Sequence, residues 1–240
     1  MEVRNNLLNF KDKYIYQNTD WFMFSIDSVL LANFVSIKKD ENIVFDLATG
    51  NAPIAMLLSF RTNAMIYGIE LQKEIYDLAV KSVIDNKMDK QIKLYNMNID
   101  DICNNFSSES ADVVVCNPPF FKTNSFKHLN DVDIKTIARH EVMFSLDILF
   151  KNVRFILKNK GIFAMVHRPE RLVEILEMMK SYGLEPKRIQ FCYPKEGKNS
   201  NIVLIEAVKN GNSGLKVLDP VIVHDKNGEY TERIRKMFGE

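Results

Sequence analysis

The chain has 240 residues, 46% of them apolar and 26% charged, with 32 Lys and Arg against 31 Asp and Glu. The apolar share excludes a disordered chain, the length suits one globular domain with a full core, and no run approaches the 18 apolar residues of a membrane-spanning helix. The near-neutral total hides an asymmetry: residues 1–121 carry 11 Lys and Arg against 16 Asp and Glu, and residues 122–240 carry 21 against 15. A polyanionic partner would meet the second half, although uneven scatter of surface charge reads the same way. The polar start, Met1 to Asn6, leads into no long apolar run, so no secretory signal is expected. Cys103, Cys116 and Cys192 are isolated in the sequence, which argues against a zinc site or a disulfide framework and for a reducing cytoplasm.

In chain order, a helix is expected from Ser25 to Val35. Strand-like and helix-like segments then alternate. Ile43–Leu47 is an apolar β-branched run, Ala52–Arg61 a helix, and Met65–Glu70 the next strand. Lys73–Asn86 places Ile75, Leu78, Ala79 and Val83 at helical spacing. Ile92–Tyr95 and Ala111–Cys116 read as strands, Glu141–Leu157 as a long helix, Gly161–Val166 as a strand and Glu170–Ser181 as a helix. Arg188–Tyr193 and Ile202–Val208 are joined by a polar loop with no helix, which predicts an antiparallel hairpin at the sheet edge. The tail adds a strand-like Val221–Val223 and a basic amphipathic end, Thr231–Phe238. The pattern is that of a doubly wound α/β sheet without a linker to a second domain.

In such a sheet, ligands sit beyond the carboxyl ends of the strands. The first of these strands ends Asp46-Leu47-Ala48-Thr49-Gly50-Asn51-Ala52-Pro53, a small-residue turn that lets backbone approach a ligand. The second ends in Glu70, at the distance from that turn where an acidic residue accepts ribose hydroxyls. Beyond the third lies Asn98, able to bond an adenine amino group. A dinucleotide would need further glycines for its pyrophosphate, and only Gly50 is present. Asp46 suits a sulfonium cofactor, S-adenosylmethionine, and would repel pyrophosphate. A ligand-free strand-to-helix turn is the structural alternative.

The most specific signal is Asn117-Pro118-Pro119-Phe120 at the end of the fourth strand. The prolines stop the strand and fix the backbone. The Asn117 side-chain oxygen and the Pro118 carbonyl can accept both hydrogens of a planar exocyclic amine, and Phe120 offers a face for a flipped base. No strong base is required, because a methylated aminium is acidic. Catalysis would then rest on positioning and electrostatics. A rigid Pro-Pro turn after a core strand is the plainer reading.

This series of strand ends resembles the class I S-adenosylmethionine-dependent methyltransferases of exocyclic amines. Gln17, the run Phe24-Ser25-Ile26-Asp27-Ser28-Val29-Leu30-Leu31-Ala32, Ala138-Arg139-His140-Glu141, Val166-His167-Arg168-Pro169 and Tyr193-Pro194-Lys195-Glu196-Gly197-Lys198 look like the bacterial tRNA adenine-N6-methyltransferases that act on adenine 37 of tRNA1(Val). The resemblance covers nearly the whole chain. It implies a Rossmann-like fold of seven strands with an antiparallel edge hairpin, as one methyltransferase domain: a lead segment (1–40), a catalytic core (41–210) and an extension (211–240). It further implies that Asp27, Asp46, Ala48, Gly50 and Asn51 line the methionine part of the cofactor. Glu70 and Leu71 would hold the ribose side, Asn98 and Ile99 the adenine ring, and Asn117 would reach both cofactor and target. Asn117 to Phe120 would grip the target adenine.

Lys122, Arg139, Arg168, Lys195 and Lys198 would meet tRNA phosphates, although each alone reads as a solvated charge. His140 and His167 are expected to be structural or RNA-facing rather than metal ligands, and Cys116 an inert core thiol. The chain departs from the family where Ala48 and Ala52 stand for glycine, adding methyl groups near the methionine tail, and where Asn98 stands for Asp, exchanging an ionised acceptor for an amide; whether these weaken cofactor binding stays open. Other acceptors of the same chemistry are adenine in rRNA or DNA and a protein glutamine. An RNA-binding module without catalysis also remains open, as does the oligomeric state.

Overall fold

Val44 and Phe45 are neighbours in the chain and both buried, on opposite faces of one strand. A strand covered on both faces reads as a continuous apolar run, and here it is the centre of a three-layer molecule. The computed structural model describes residues 1–21, 23–38, 42–119 and 145–240. Phe120, Lys122 and Arg139 lie outside the described residues, as do Ala138, His140 and the expected helix start at Glu141.

The elements are a hairpin of β1 (Glu2–Asn6) and β2 (Tyr14–Asn18), then α1 (Ile26–Phe34), β3 (Ile43–Leu47), α2 (Pro53–Ser59) and β4 (Met65–Glu70). There follow α3 (Lys73–Asp85), β5 (Ile92–Asn96), α4 (Ile102–Asn105), β6 (Ala111–Cys116), α5 (Leu146–Ile156), β7 (Leu157–His167) and α6 (Leu172–Ser181). The chain ends with β8 (Leu184–Lys195), β9 (Ile202–Lys209), β10 (Lys216–Val217), β11 (Val221–His224) and α7 (Glu232–Met237).

The main sheet runs β5-β4-β3-β6-β7-β9-β8, with β10 and β11 both paired to the far side of β8. Only β9 is antiparallel to its neighbours. Val44, Val113, Val115, Ala164, Val166 and Leu204 face the layer of α1, α2 and α3, together with Leu7, Ile15 and Ile234. Phe45, Leu47, Val114, Phe163, Met165 and Ile205 face α5 and α6 through Phe150, Val153, Ile175 and Met179.

The fold departs from the sequence expectation in two places. The sheet has nine strands among the described residues, not seven. Lys216–Val217 and Val221–His224 pair in parallel with β8, covering an edge whose backbone groups would otherwise stay open to water. The β8–β9 hairpin is therefore present, but its outer strand is not the edge. The lead segment also contains a two-stranded sheet that periodicity did not signal, because its first strand is largely exposed and polar. Backbone capture explains it: Asn86 Oδ1 accepts the Tyr14 N–H at 2.9 Å and Ser82 Oγ accepts the Tyr16 N–H at 2.9 Å, fixing β2 along α3.

Helix α1 is held from behind. Glu206, buried on β9, accepts from Arg188 Nε at 2.8 Å and from the Ser36 N–H at 2.7 Å. Arg61 donates to the carbonyls of Ala32 and Val35. These bonds satisfy carbonyls and an N–H at the helix end that helical geometry leaves unpaired. They also fix where the opposite end, Ser25 to Ser28, sits.

Candidate active site

The sheet order reverses between β3 and β6, the position at which a doubly wound sheet opens a crevice. The register brings the sequence candidates to it. Leu47 pairs with Ile69 on one side and Cys116 on the other, so the turn after β3 leaves the sheet between Glu70 and Asn117. Glu70 in turn pairs with Asn96.

The turn after β3 has a repeating backbone signature. Ala48, Gly50 and Ala52 have φ of 55°, 59° and 65°, in the left-handed region. That conformation costs a residue bearing a Cβ about 1–2 kcal/mol and glycine far less. A Cβ built on Gly50 would meet nothing within 4 Å, so the turn presents bare backbone to open space. Thr49 holds it from below: its hydroxyl donates to Asp46 Oδ2 at 2.5 Å and its N–H to the Ile69 carbonyl at 2.9 Å. Asn51 is buried within the same turn.

Asp46 is fully buried, and its Oδ1 has no hydrogen-bond partner among the described residues. Burial pushes its pKa up to about 7, against the Thr49 hydroxyl and the Ala55 backbone, while the nearby Glu70 carboxylate adds repulsion. Glu70 closes the crevice from β4. Its Oε2 accepts the Gly50 N–H at 2.9 Å and its Oε1 the Gln72 N–H at 2.8 Å. Burial raises this pKa too, and the backbone N–H groups of Gln72, Gly50 and Leu71 oppose the rise.

On the β5 side, Asn96 Nδ2 donates to the carbonyls of Glu70 and Leu71, both at 2.9 Å, and the Met97 N–H donates to the Glu70 carbonyl at 3.0 Å. The Leu71 side chain is left exposed while Ile99 is buried. Asn98 Oδ1 accepts the Asp100 N–H at 3.1 Å, capping a 3₁₀ turn over Ile99–Asp101. An amide makes this cap without adding charge.

Asn117 is half-buried just beyond β6, followed by a buried Pro118 and an exposed Pro119. Its Nδ2 donates to Ser28 Oγ on α1 at 3.1 Å. The amide oxygen is thereby turned away from Ser28 on the other arm of the same planar group. Beside Ser28, Asp27 is buried and its Oδ2 lies 3.5 Å from Arg168 Nη2. Burial raises the Asp27 pKa and Arg168 opposes it. Arg168 also donates to the Asn201 carbonyl at 2.8 Å. The arginine expected to face RNA is thus engaged within the protein, at the end of β7. His167, buried, accepts the Arg168 N–H on Nδ1 at 2.8 Å, and burial with the charge of Arg171 lowers its pKa to about 4.

Lys195, the last residue of β8, and Lys198, in the turn that follows, are exposed, and Gly197 between them has φ 74°. Strand β8 runs parallel to β7, since both are antiparallel to β9, so this turn lies at the same end of the sheet as Asn117. Among the described residues no three His, Cys, Asp or Glu stand close enough to hold a metal ion, and no helix is long and apolar enough to cross a membrane. Cys116 and Cys192 are buried, and burial pushes the first thiol well above its usual range and the second to about 12.

Sequence reasoning assigned no separate role to Ser28 or Thr49. Both stand inside the quoted motifs, but their partners, Asn117 and Asp46, are visible only once the strands and α1 are placed.

Residues 24–141 match the family described as Methyltransferase small domain. A tRNA1(Val) (adenine(37)-N6)-methyltransferase of Cytophaga hutchinsonii is 28% identical over 202 residues, covering 84% of this chain and 83% of that protein. One from Bacteroides fragilis is 24% identical over 231 residues, 95% of this chain and 96% of its own. Among solved structures, a predicted O-methyltransferase of Agrobacterium tumefaciens superposes with a TM-score of 0.71 at 18% identity, covering 89% of this chain and 95% of that one. The chain has a class I methyltransferase fold and is similar over most of its length to the tRNA1(Val) (adenine(37)-N6)-methyltransferases.

Proposed function

We propose that the chain transfers a methyl group from S-adenosylmethionine to the exocyclic N6 of adenine in tRNA, at adenine 37 beside the anticodon. The observation that carries the reading is the Asn117 amide, whose nitrogen is occupied by Ser28 at 3.1 Å so that its oxygen is the arm left for a substrate N–H. The curated relatives bear that activity in their names over matching length.

The crevice fits the cofactor on two counts. Asp46 Oδ1 is a buried acceptor without a partner among the described residues, and the Gly50 backbone opens on space that a side chain would fill. Asp27, Asp46, Ala48, Gly50 and Asn51 would hold the methionine end. Glu70 keeps a second lone pair on each oxygen for ribose hydroxyls, beyond those taken by Gly50 and Gln72. Leu71, Asn98 and Ile99 would flank the adenine. When bound, the cofactor supplies an electrophilic methyl group. Asn117 Oδ1 and the Pro118 carbonyl would accept both N–H bonds of the target amine, drawing its lone pair out of conjugation and aiming it along the transfer axis. The proton then leaves an acidic aminium to water or carbonyl, with no side-chain base. Lys195 and Lys198 would neutralise phosphates flanking the target. The whole chain would act as one domain in the cytoplasm, where its substrate is.

Incubation with labelled methyl donor and total tRNA, followed by nucleoside analysis, tests donor, acceptor and atom together. Label in N6-methyladenosine is expected. Label confined to rRNA, DNA or protein glutamine, or tRNA binding without transfer, would replace this reading with the corresponding alternative.

A further inference from the structure

We infer that Ser28 is a positioning residue for the transfer: it sets the Asn117 amide with its oxygen toward the substrate amine. The inference rests on the proposed reaction. An asparagine amide has two near-isosteric orientations, and only one offers an acceptor to a substrate N–H. Turned the other way, it would present its own NH2 to the target NH2, donor against donor. A serine hydroxyl can accept from the nitrogen arm or donate to the oxygen arm, and here the nitrogen arm faces it. Ser28 Oγ accepts from Asn117 Nδ2 at 3.1 Å, and Ser28 is only 3% exposed. Ser28 is itself fixed. It lies in the first turn of α1, which Ser25 caps through the Asp27 N–H, and its own N–H donates to the Ser25 carbonyl at 3.2 Å. The far end of α1 is clamped by Arg61 and, through Ser36, by the Arg188–Glu206 pair. The next residue back, Asp27, holds Arg168 beyond β7. One helical turn from the lead segment therefore contacts the ends of two adjacent sheet strands.

The test uses the full chain with labelled S-adenosylmethionine and total tRNA, and compares Ser28→Ala, Ser28→Cys and Ser28→Thr with the parent. Loss of one orienting hydrogen bond is expected to lower kcat of Ser28→Ala by about 10–100-fold. Its KM for S-adenosylmethionine and its calorimetric affinity for that cofactor stay within about threefold. Ser28→Cys, close in volume but a weak acceptor, preserves packing and also loses kcat. Ser28→Thr, which keeps the hydroxyl, recovers most of it. Parent-like kcat in the Ala or Cys variant overturns the inference. So does a loss carried by cofactor affinity, or a folded Thr variant no better than Ala. A parent that does not methylate tRNA overturns the reaction itself, which is a separate outcome from an active parent matched by Ser28→Ala.

Discussion

Gly50 and Glu70, on successive strand ends, are joined by a hydrogen bond: the Gly50 N–H donates to Glu70 Oε2 at 2.9 Å, while the other carboxylate oxygen takes the Gln72 N–H. The acid that the sequence marks for ribose thus also builds the turn against which the methionine end would lie. Glu70→Gln keeps the shape, removes the charge and converts one acceptor to a donor. A bond to a charged group contributes about 1.5–3 kcal/mol, so affinity for S-adenosylmethionine is expected to fall by about 10–100-fold in calorimetric titration. Unchanged affinity would place the ribose elsewhere.

Asn117→Ala removes the side-chain acceptor without touching the cofactor turn. Methyl transfer is expected to fall by about 10²–10³ in kcat or more, with cofactor affinity nearly intact. Single-turnover measurements with tRNA check this, and equal activity of variant and parent would remove the main argument for the chemistry.

The left-handed turn makes a prediction about stability that separates two alanines. Ala48 is partly exposed, and Ala48→Gly relieves a φ of 55° at little cost in packing. It is expected to gain about 0.5–1 kcal/mol after the entropy of an unfolded glycine is counted. Ala52 has the same strain, with φ 65°, but is fully buried in the core. Removal of its methyl in Ala52→Gly offsets the relief, so that variant is expected to be near neutral. Urea denaturation of both variants tests the pair.

Asp46 imposes a pH dependence. Its folded pKa of about 7 stands above the ordinary carboxyl value of 3.8. Between those two pH values the folded chain holds a proton that the unfolded chain has released. This group therefore stabilises the fold less as pH rises through that window, by up to about 1.4 kcal/mol per pH unit. His167 acts oppositely. Its folded pKa of about 4 lies below the ordinary 6.5, so stability from it is lost as pH falls from 6.5 toward 4. The two nearly offset over much of the range, and the variant difference is the readable quantity. Asp46→Asn is expected to gain on the parent at pH 7.5 relative to pH 5 in denaturant midpoints. A difference independent of pH would mean that Asp46 is ionised throughout.

Charge reversal at Lys195 and Lys198 is expected to weaken tRNA binding and to flatten its dependence on salt. Each phosphate left without its lysine lowers the slope of log affinity against log salt concentration by about 0.7–0.9. Filter binding across a salt series measures this, and an unchanged slope moves the RNA surface off the β8–β9 turn.

By itself the sequence determined the layers and the identity of the strand ends. Alternating apolar runs and helical spacing are local properties, and Met65–Glu70 and Ala111–Cys116 emerge with the boundaries that pattern predicts. Asp46, Glu70 and Asn117 were legible because a carboxyl-terminal strand end is a position in the chain as well as in space. Tertiary structure alone decided the rest. Strands β10 and β11 are short, and β1 is polar and exposed; the first two exist because an open edge captures their backbones, and β1 because it pairs with β2, whose backbone Ser82 and Asn86 hold. The pairings of Ser28 with Asn117 and Asp27 with Arg168 join residues 89 and 141 positions apart. No periodicity encodes such a pairing, because it depends on where a whole helix comes to rest against the sheet.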